Sequence, residues 1–177
     1  MKAALRILRA ALAAAPALVA GAAPAWAEDA VKPGVVKSGL PLPRYASLKT
    51  DKVNLHEGPS KDHPTTWVFQ RAGLPVEITA EFEQWVKIRD SEGSEGWVLH
   101  TLLSGRRTGL VSPGKKGQTF NIYAGAASAD IVAALESGVI ANVRRCDGRW
   151  CLVDGEGYKG YIEQVRLWGV YPDERVE

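Results

Sequence analysis

Sulfur, histidine and net charge are all scarce in this chain of 177 residues, which has two cysteines, one methionine, three histidines and a formal charge of +2. Two thiols without nearby imidazoles are too few for zinc, and the redox pattern C-x-x-C is absent. His56, His63 and His100 have no spacing that demands a metal. Asp62 beside His63 supplies only part of the three-ligand set that a site needs, so neither a metal nor a cofactor is expected. G-x-S-x-G and H-E-x-x-H are also missing, which removes two hydrolase signatures. A cysteine nucleophile needs a free thiol and an oriented histidine. The acidic stretch Glu81, Glu83, Asp90, Glu92 and Glu95 reads as strand–turn surface. No catalytic residue is assigned, and the chain is expected not to be an enzyme.

Long apolar runs are absent except one. Lys2, Arg6 and Arg9 precede an alanine-rich run from Ala10 to Ala25, and Ala25-Trp26-Ala27 is an A-x-A cleavage pattern. Residues 1–27 are expected to be a secretory signal peptide. Pro16, Gly21 and Pro24 disfavour a retained membrane helix. Without this segment the balance becomes 22 − 3 = 19 Lys+Arg against 20 Asp+Glu. No surface for nucleic acid is expected, and no membrane span is expected after cleavage. The remaining 177 − 27 = 150 residues allow one ordinary domain or two small ones. The expected location is the periplasm or the exterior.

What is abundant is a repeat. Val53-Asn54-Leu55-His56-Glu57-Gly58-Pro59 matches Phe120-Asn121-Ile122-Tyr123-Ala124-Gly125-Ala126. Gly73-Leu74-Pro75-Val76-Glu77-Ile78 matches Gly138-Val139-Ile140-Ala141-Asn142-Val143, Trp85 matches Trp150, and Gly96-Trp97-Val98 matches Gly160-Tyr161-Ile162. The offsets are 121 − 54 = 67, 138 − 73 = 65, 150 − 85 = 65 and 161 − 97 = 64, a drift that falls in loops. Apolar positions alternate through Val76-Glu77-Ile78, Trp85-Val86-Lys87-Ile88 and Trp97-Val98-Leu99, the period of half-buried strands. Ser128 to Ser137 fits either a short amphipathic helix or a strand after a tight turn; the Trp67-Val68-Phe69 stretch of the other repeat favours the strand. Gly58-Pro59 and Gly73 are expected at sharp turns, with glycine free to take positive φ.

The series V-N-L-x-x-G-P, A-G-L-P-V-E-I, W-V-K-I and E-G-W-V resembles the bacterial SH3-like domain, and both repeats match over roughly Tyr45–Val170. Gly39 to Tyr45 and Leu102 to Arg107 are similar to exported proteobacterial proteins built from this domain. The resemblance implies an all-β chain of two tandem small SH3-like β-barrels, each five-stranded and strongly bent. It also implies binding of peptides or cell-wall material. The family's usual arginine two residues after the asparagine is replaced by His56 and Tyr123, and the second repeat has Gly125-Ala126 for Gly-Pro, so the two repeats need not bind alike. The expected organisation is signal peptide 1–27, a proline-containing extended linker 28–44, SH3-like domains 45–107 and 108–171, and a tail 172–177. Residues 104–118 are expected to connect the domains.

Cys146 and Cys151 flank Asp147-Gly148-Arg149-Trp150. Strands on either side of this connection bring the thiols together, so a structural disulfide is expected, with Cα atoms roughly 4.4–6.8 Å apart. Trp85 and Trp150 begin equivalent strands and are expected in the core. Trp67, Trp97 and Tyr123, with His56, are the candidate ligand-binding residues, because rings with a polar tip suit peptide or sugar contact. Leu40-Pro41-Leu42-Pro43-Arg44 is expected to be extended, either as a spacer or as a segment docked on the module's own aromatic groove. The function expected is non-catalytic binding of peptidoglycan or of a periplasmic protein or peptide. The alternatives are a structural accessory of an envelope complex and a cell-wall hydrolase.

Overall fold

The computed structural model describes residues 38–177; the expected signal peptide and residues 28–37 lie outside the described residues. Seven strands form the first sheet: β1 (Arg44–Leu48), β2 (Val53–His56), β3 (Thr65–Phe69), β4 (Pro75–Phe82), β5 (Trp85–Arg89), β6 (Glu95–Leu99) and β7 (Leu103–Ser104). The second contains β8 (Thr108–Val111), β9 (Thr119–Tyr123), β10 (Ile131–Glu136), β11 (Ile140–Asp147), β12 (Trp150–Gly155), β13 (Tyr158–Glu163), β14 (Leu167–Trp168) and β15 (Arg175–Val176). The order β3-β2-β6-β5-β4-β1-β7 recurs strand for strand as β10-β9-β13-β12-β11-β8-β14. The sequence repeat is therefore a repeat of topology.

Each hydrogen-bonded path has two free ends, so neither sheet is a closed barrel. The barrels are therefore open, with seven strands along each path rather than five, and the all-β tandem SH3-like class stands. The bend has a local cause. The ladder shifts register between Ile78 and Ala80, and again at the equivalent place between Val143 and Arg145; such bulges bend and twist a strand.

Alternation decides which side chains face inward. Val53 and Leu55 of β2 are buried in the first apolar cluster, while Asn54 is exposed and His56 half-buried on the opposite face. Ile122 of β9 takes the same inward place in the second cluster, between Asn121 and Tyr123. The motif glycines Gly96 and Gly160 sit where strands cross closely. A Cβ on Gly96 would lie 2.8 Å from the His56 carbonyl oxygen, and one on Gly160 would lie 2.9 Å from that of Tyr123. Gly58 departs from expectation: its φ is not positive, and the His63 ring packed against it is what excludes a side chain.

Ile131–Glu136 is a strand, paired with β9 after a turn in which the Asp130 N–H donates to Ser128 Oγ at 3.1 Å. Cys146 and Cys151 face each other across β11 and β12 in a disulfide, with Cα atoms 4.1 Å apart, just below the expected range. Residues 172–177 are not a tail: β15 pairs with β11, and Val176 joins the second core. Within the expected connection 104–118, β8 already belongs to the second sheet, so residues 105–107 join the two.

The two units pack on each other through polar and aromatic contacts. Thr108 Oγ1 donates to the Gly73 carbonyl at 2.7 Å and meets Ser47 Oγ at 2.6 Å. Tyr45 lies edge-on to Trp168 and tilted against Tyr171, with ring centroids 5.4 and 4.6 Å away. The Tyr171 hydroxyl donates to the buried Glu77 carboxylate at 2.9 Å, and Arg89 pairs with the same carboxylate.

Candidate functional site

The outward face of β2 builds a groove on the first unit. Lys52, Asn54 and His56 are two residues apart and so line the same side of the extended chain. Trp85, at the start of β5, is only 4% exposed and meets the His56 ring edge-on at 5.3 Å. Leu99 and Leu102 complete an apolar wall, and Lys61 reaches in from the β2–β3 loop. The concavity measures about 420 Å³. His56 is held in place by contact between Nδ1 and the His63 carbonyl at 3.0 Å. Neither Lys52 nor Lys61 takes part in a salt bridge among the described residues. An indole floor with two free ammonium groups at the rim suits an extended ligand that carries carboxylates.

The second unit has the same frame and a different outcome. Thr119, Asn121 and Tyr123 occupy the places of Lys52, Asn54 and His56, and Tyr123 meets Trp150 edge-on at 5.7 Å. Glu163 and Arg166 stand where the first unit has Leu99 and Leu102, at an offset of 64. The Arg166 guanidinium lies 5.4 Å from the Phe120 ring centroid, and its Nε donates to Glu163 at 3.1 Å. The concavity left is about 150 Å³. The second unit therefore keeps a smaller concavity, rimmed by the Glu163–Arg166 pair, and its Trp150 is half-buried outside that lining.

The four residues expected to contact ligand do not converge. His56 lines the larger groove and Tyr123 its smaller counterpart. Trp97 is half-buried on β6, beside His56 in the ladder but outside the groove lining. Trp67 is exposed on β3, at a separate cleft between the units. Trp85 was expected in the core; it is buried, but beneath the groove rather than within the inner apolar cluster. Of the groove residues only His56 is among the sequence candidates; the alternate spacing Lys52-x-Asn54-x-His56 is the signal that could have found two more, whereas Lys61, Leu99 and Leu102 reach the groove only through the fold.

Three members of the acidic stretch have structural partners. Glu81 takes Arg44 and Ser38, and although burial opposes its ionisation, these partners hold its pKa below the usual carboxylate value. Asp90 accepts the backbone N–H groups of Glu92 and Ser94 at 2.9 and 2.8 Å, and Glu95 pairs with Lys87. Among the described residues no group of three or more His, Cys, Asp or Glu is arranged to hold a metal. Leu42 packs on the first core while Ser38 and Arg44 grip Glu81, so the proline segment is strapped to the first unit and does not line the aromatic groove.

The family model described as Bacterial SH3 domain matches residues 49–105 and 116–169. No curated protein matches the chain. Among solved structures, NlpC2 from Trichomonas vaginalis is 17% identical, with a TM-score of 0.32 over 71% of this chain and 48% of that one. NlpC1 from the same organism is also 17% identical, with a TM-score of 0.33 over 73% of this chain and 47% of that one. This chain thus spans about half the length of each of those proteins. Two matched segments, one on each of two sheets of identical strand order, establish that the chain belongs to the bacterial SH3 domain family.

Proposed function

We propose that the protein is an exported, non-catalytic binding module that recognises peptidoglycan peptides through the first unit's groove. The observation that carries this reading is the contrast between the two equivalent faces. One, of about 420 Å³, is lined by Trp85 and rimmed by unpaired Lys52 and Lys61; the other, of about 150 Å³, carries the paired Glu163 and Arg166 in place of Leu99 and Leu102. Cell-wall stem peptides are short, extended and carry free carboxylates, which fits the two ammonium groups. The disulfide fits export to an oxidising compartment, and among the described residues no helix is long and apolar enough to cross a membrane.

Co-sedimentation of residues 28–177 with purified sacculi tests the reading. Binding should weaken as salt rises, because the rim is exposed, yet persist at moderate salt through the aromatic floor. The double variant Lys52→Glu, Lys61→Glu should abolish it without releasing soluble fragments from the wall. If the wild-type protein stays in the supernatant at low salt, the cell-wall assignment is wrong and a periplasmic protein partner becomes the target of crosslinking.

A further inference from the structure

A second concavity, of about 640 Å³, lies where the two units meet. Trp67, Arg71 and Leu74 line it from the first unit, and Leu110, Pro113 and Lys116 from the second. The cleft exists because the units pack together: Thr108 bonds to Gly73 beside it, and Arg71 reaches across to donate to the Gly138 carbonyl at 2.8 Å. Neither unit alone contains the site.

The fold does not account for Trp67. In the first unit Leu55 stands opposite Trp67, and in the second the equivalent Ile122 stands opposite Ala133. The repeat thus shows that this strand position is satisfied by alanine. The tryptophan instead leaves 59% of its surface exposed, on a strand with a free edge. A large ring that adds little to its own core and fronts a partly apolar cleft is surface available to a ligand.

Charge selects the class of ligand. Arg71 and Lys116 stand against Asp90 and Glu92, so the lining is balanced. Arg71 and Asp90 are already committed to backbone partners. The first groove, by contrast, has two free cations and no anion. A neutral lining with an exposed indole and planar polar side chains suits an uncharged, polyhydroxylated ring. Its axial C–H groups carry positive potential towards the electron-rich face of the aromatic ring, and its hydroxyls and amides bond to the rim. We infer that the cleft between the units binds a neutral N-acetylated sugar oligomer by stacking on Trp67. This rests on the cell-wall reading but adds a glycan site separate from the peptide groove.

The test titrates the mature protein with a soluble tetramer of N-acetylglucosamine, followed by calorimetry and tryptophan fluorescence. Binding should be nearly independent of salt, because the ligand is uncharged. Trp67→Ala should weaken it about tenfold or more, and Lys52→Glu, Lys61→Glu should leave it unchanged. Unaltered thermal unfolding of Trp67→Ala shows that the loss is not misfolding; alanine at the equivalent Ala133 makes this the expected control result. A flat titration, or equal affinity in Trp67→Ala, overturns the glycan site. If sacculi still sediment the wild-type protein in that case, only the cleft has failed; if they do not, the cell-wall reading fails with it.

Discussion

At the scale of single residues, the most consequential placement is Tyr45 against Tyr171 at the seam. Burial, then the charge of Glu77, pushes the Tyr45 hydroxyl up to about 12. Burial and the bond to Glu77 raise Tyr171 as well. Both hydroxyls are neutral in the folded and unfolded chain below the ordinary tyrosine value of 10.0. Above it the unfolded chain loses these protons while the folded chain keeps them, so stability falls as pH rises from about 10 towards 12. Urea unfolding across this range should show that loss, and Tyr45→Phe, Tyr171→Phe should flatten it. The double variant should also cost about 1–3 kcal/mol at neutral pH, because Glu77 loses a donor while 3% exposed. An alkaline slope identical to wild type would show that these hydroxyls are not what holds the seam.

At the scale of elements, the hairpin of β11 and β12 is the best-defined piece. Cys146 and Cys151 oppose each other across it, and β15 lies against the other edge of β11 at Cys146. Closing so short a loop removes about 2 kcal/mol of unfolded-state entropy. Cys146→Ser, Cys151→Ser should therefore lower the thermal midpoint by about 4–8 °C and leave the open groove, which lies on the other unit, with its wild-type affinity. No change in midpoint would mean that β15 and the second core hold the hairpin without the bond. This hairpin was legible because all its determinants are local: alternation through Trp150-Cys151-Leu152-Val153, a turn glycine and two thiols in range. Ser128 to Ser137 was legible only by comparison with its repeat, since Ile131, Val132 and Leu135 suit either period. The strand forms because β9 offers a partner edge. The frame of the open groove could be read from alternate residues of β2, but Trp85 could not be told from a core tryptophan. Burial alone does not reveal which face of a sheet a side chain occupies. The stacking of Arg166 on Phe120 and the cleft beside Trp67 were not legible at all, because the first joins residues 166 − 120 = 46 apart and the second depends on the packing of one unit against another.

At the scale of the whole molecule, the seam decides whether the tandem is two modules on a string or one body. Only residues 105–107 join the sheets, and the covalent tie is reinforced from both sides. Thr108 bonds to Gly73 and Ser47 on one, and Arg107 holds Glu174 and the Gly169 carbonyl on the other at 2.8 to 3.1 Å. Thr108 is 2% exposed and Ser47 1%, so these bonds are shielded from competing water. A body of this kind holds the open groove and the cleft between the units at a set separation, so two weak contacts on one polymer would reinforce each other without the entropy of a flexible linker. It should also unfold as one. Scanning calorimetry of residues 28–177 should give a single transition whose calorimetric and van't Hoff enthalpies agree. Thr108→Val keeps the side-chain shape but leaves the Gly73 carbonyl and the Ser47 hydroxyl without that partner, costing about 1–3 kcal/mol. In a single body that cost appears as one lowered midpoint, with amide protons of β5 and β12 exchanging faster by the same factor. Two resolved transitions in the wild type, or faster exchange confined to one sheet in Thr108→Val, would show instead that the units fold independently. The cleft beside Trp67 would then lack the rigid walls that a sugar ring requires.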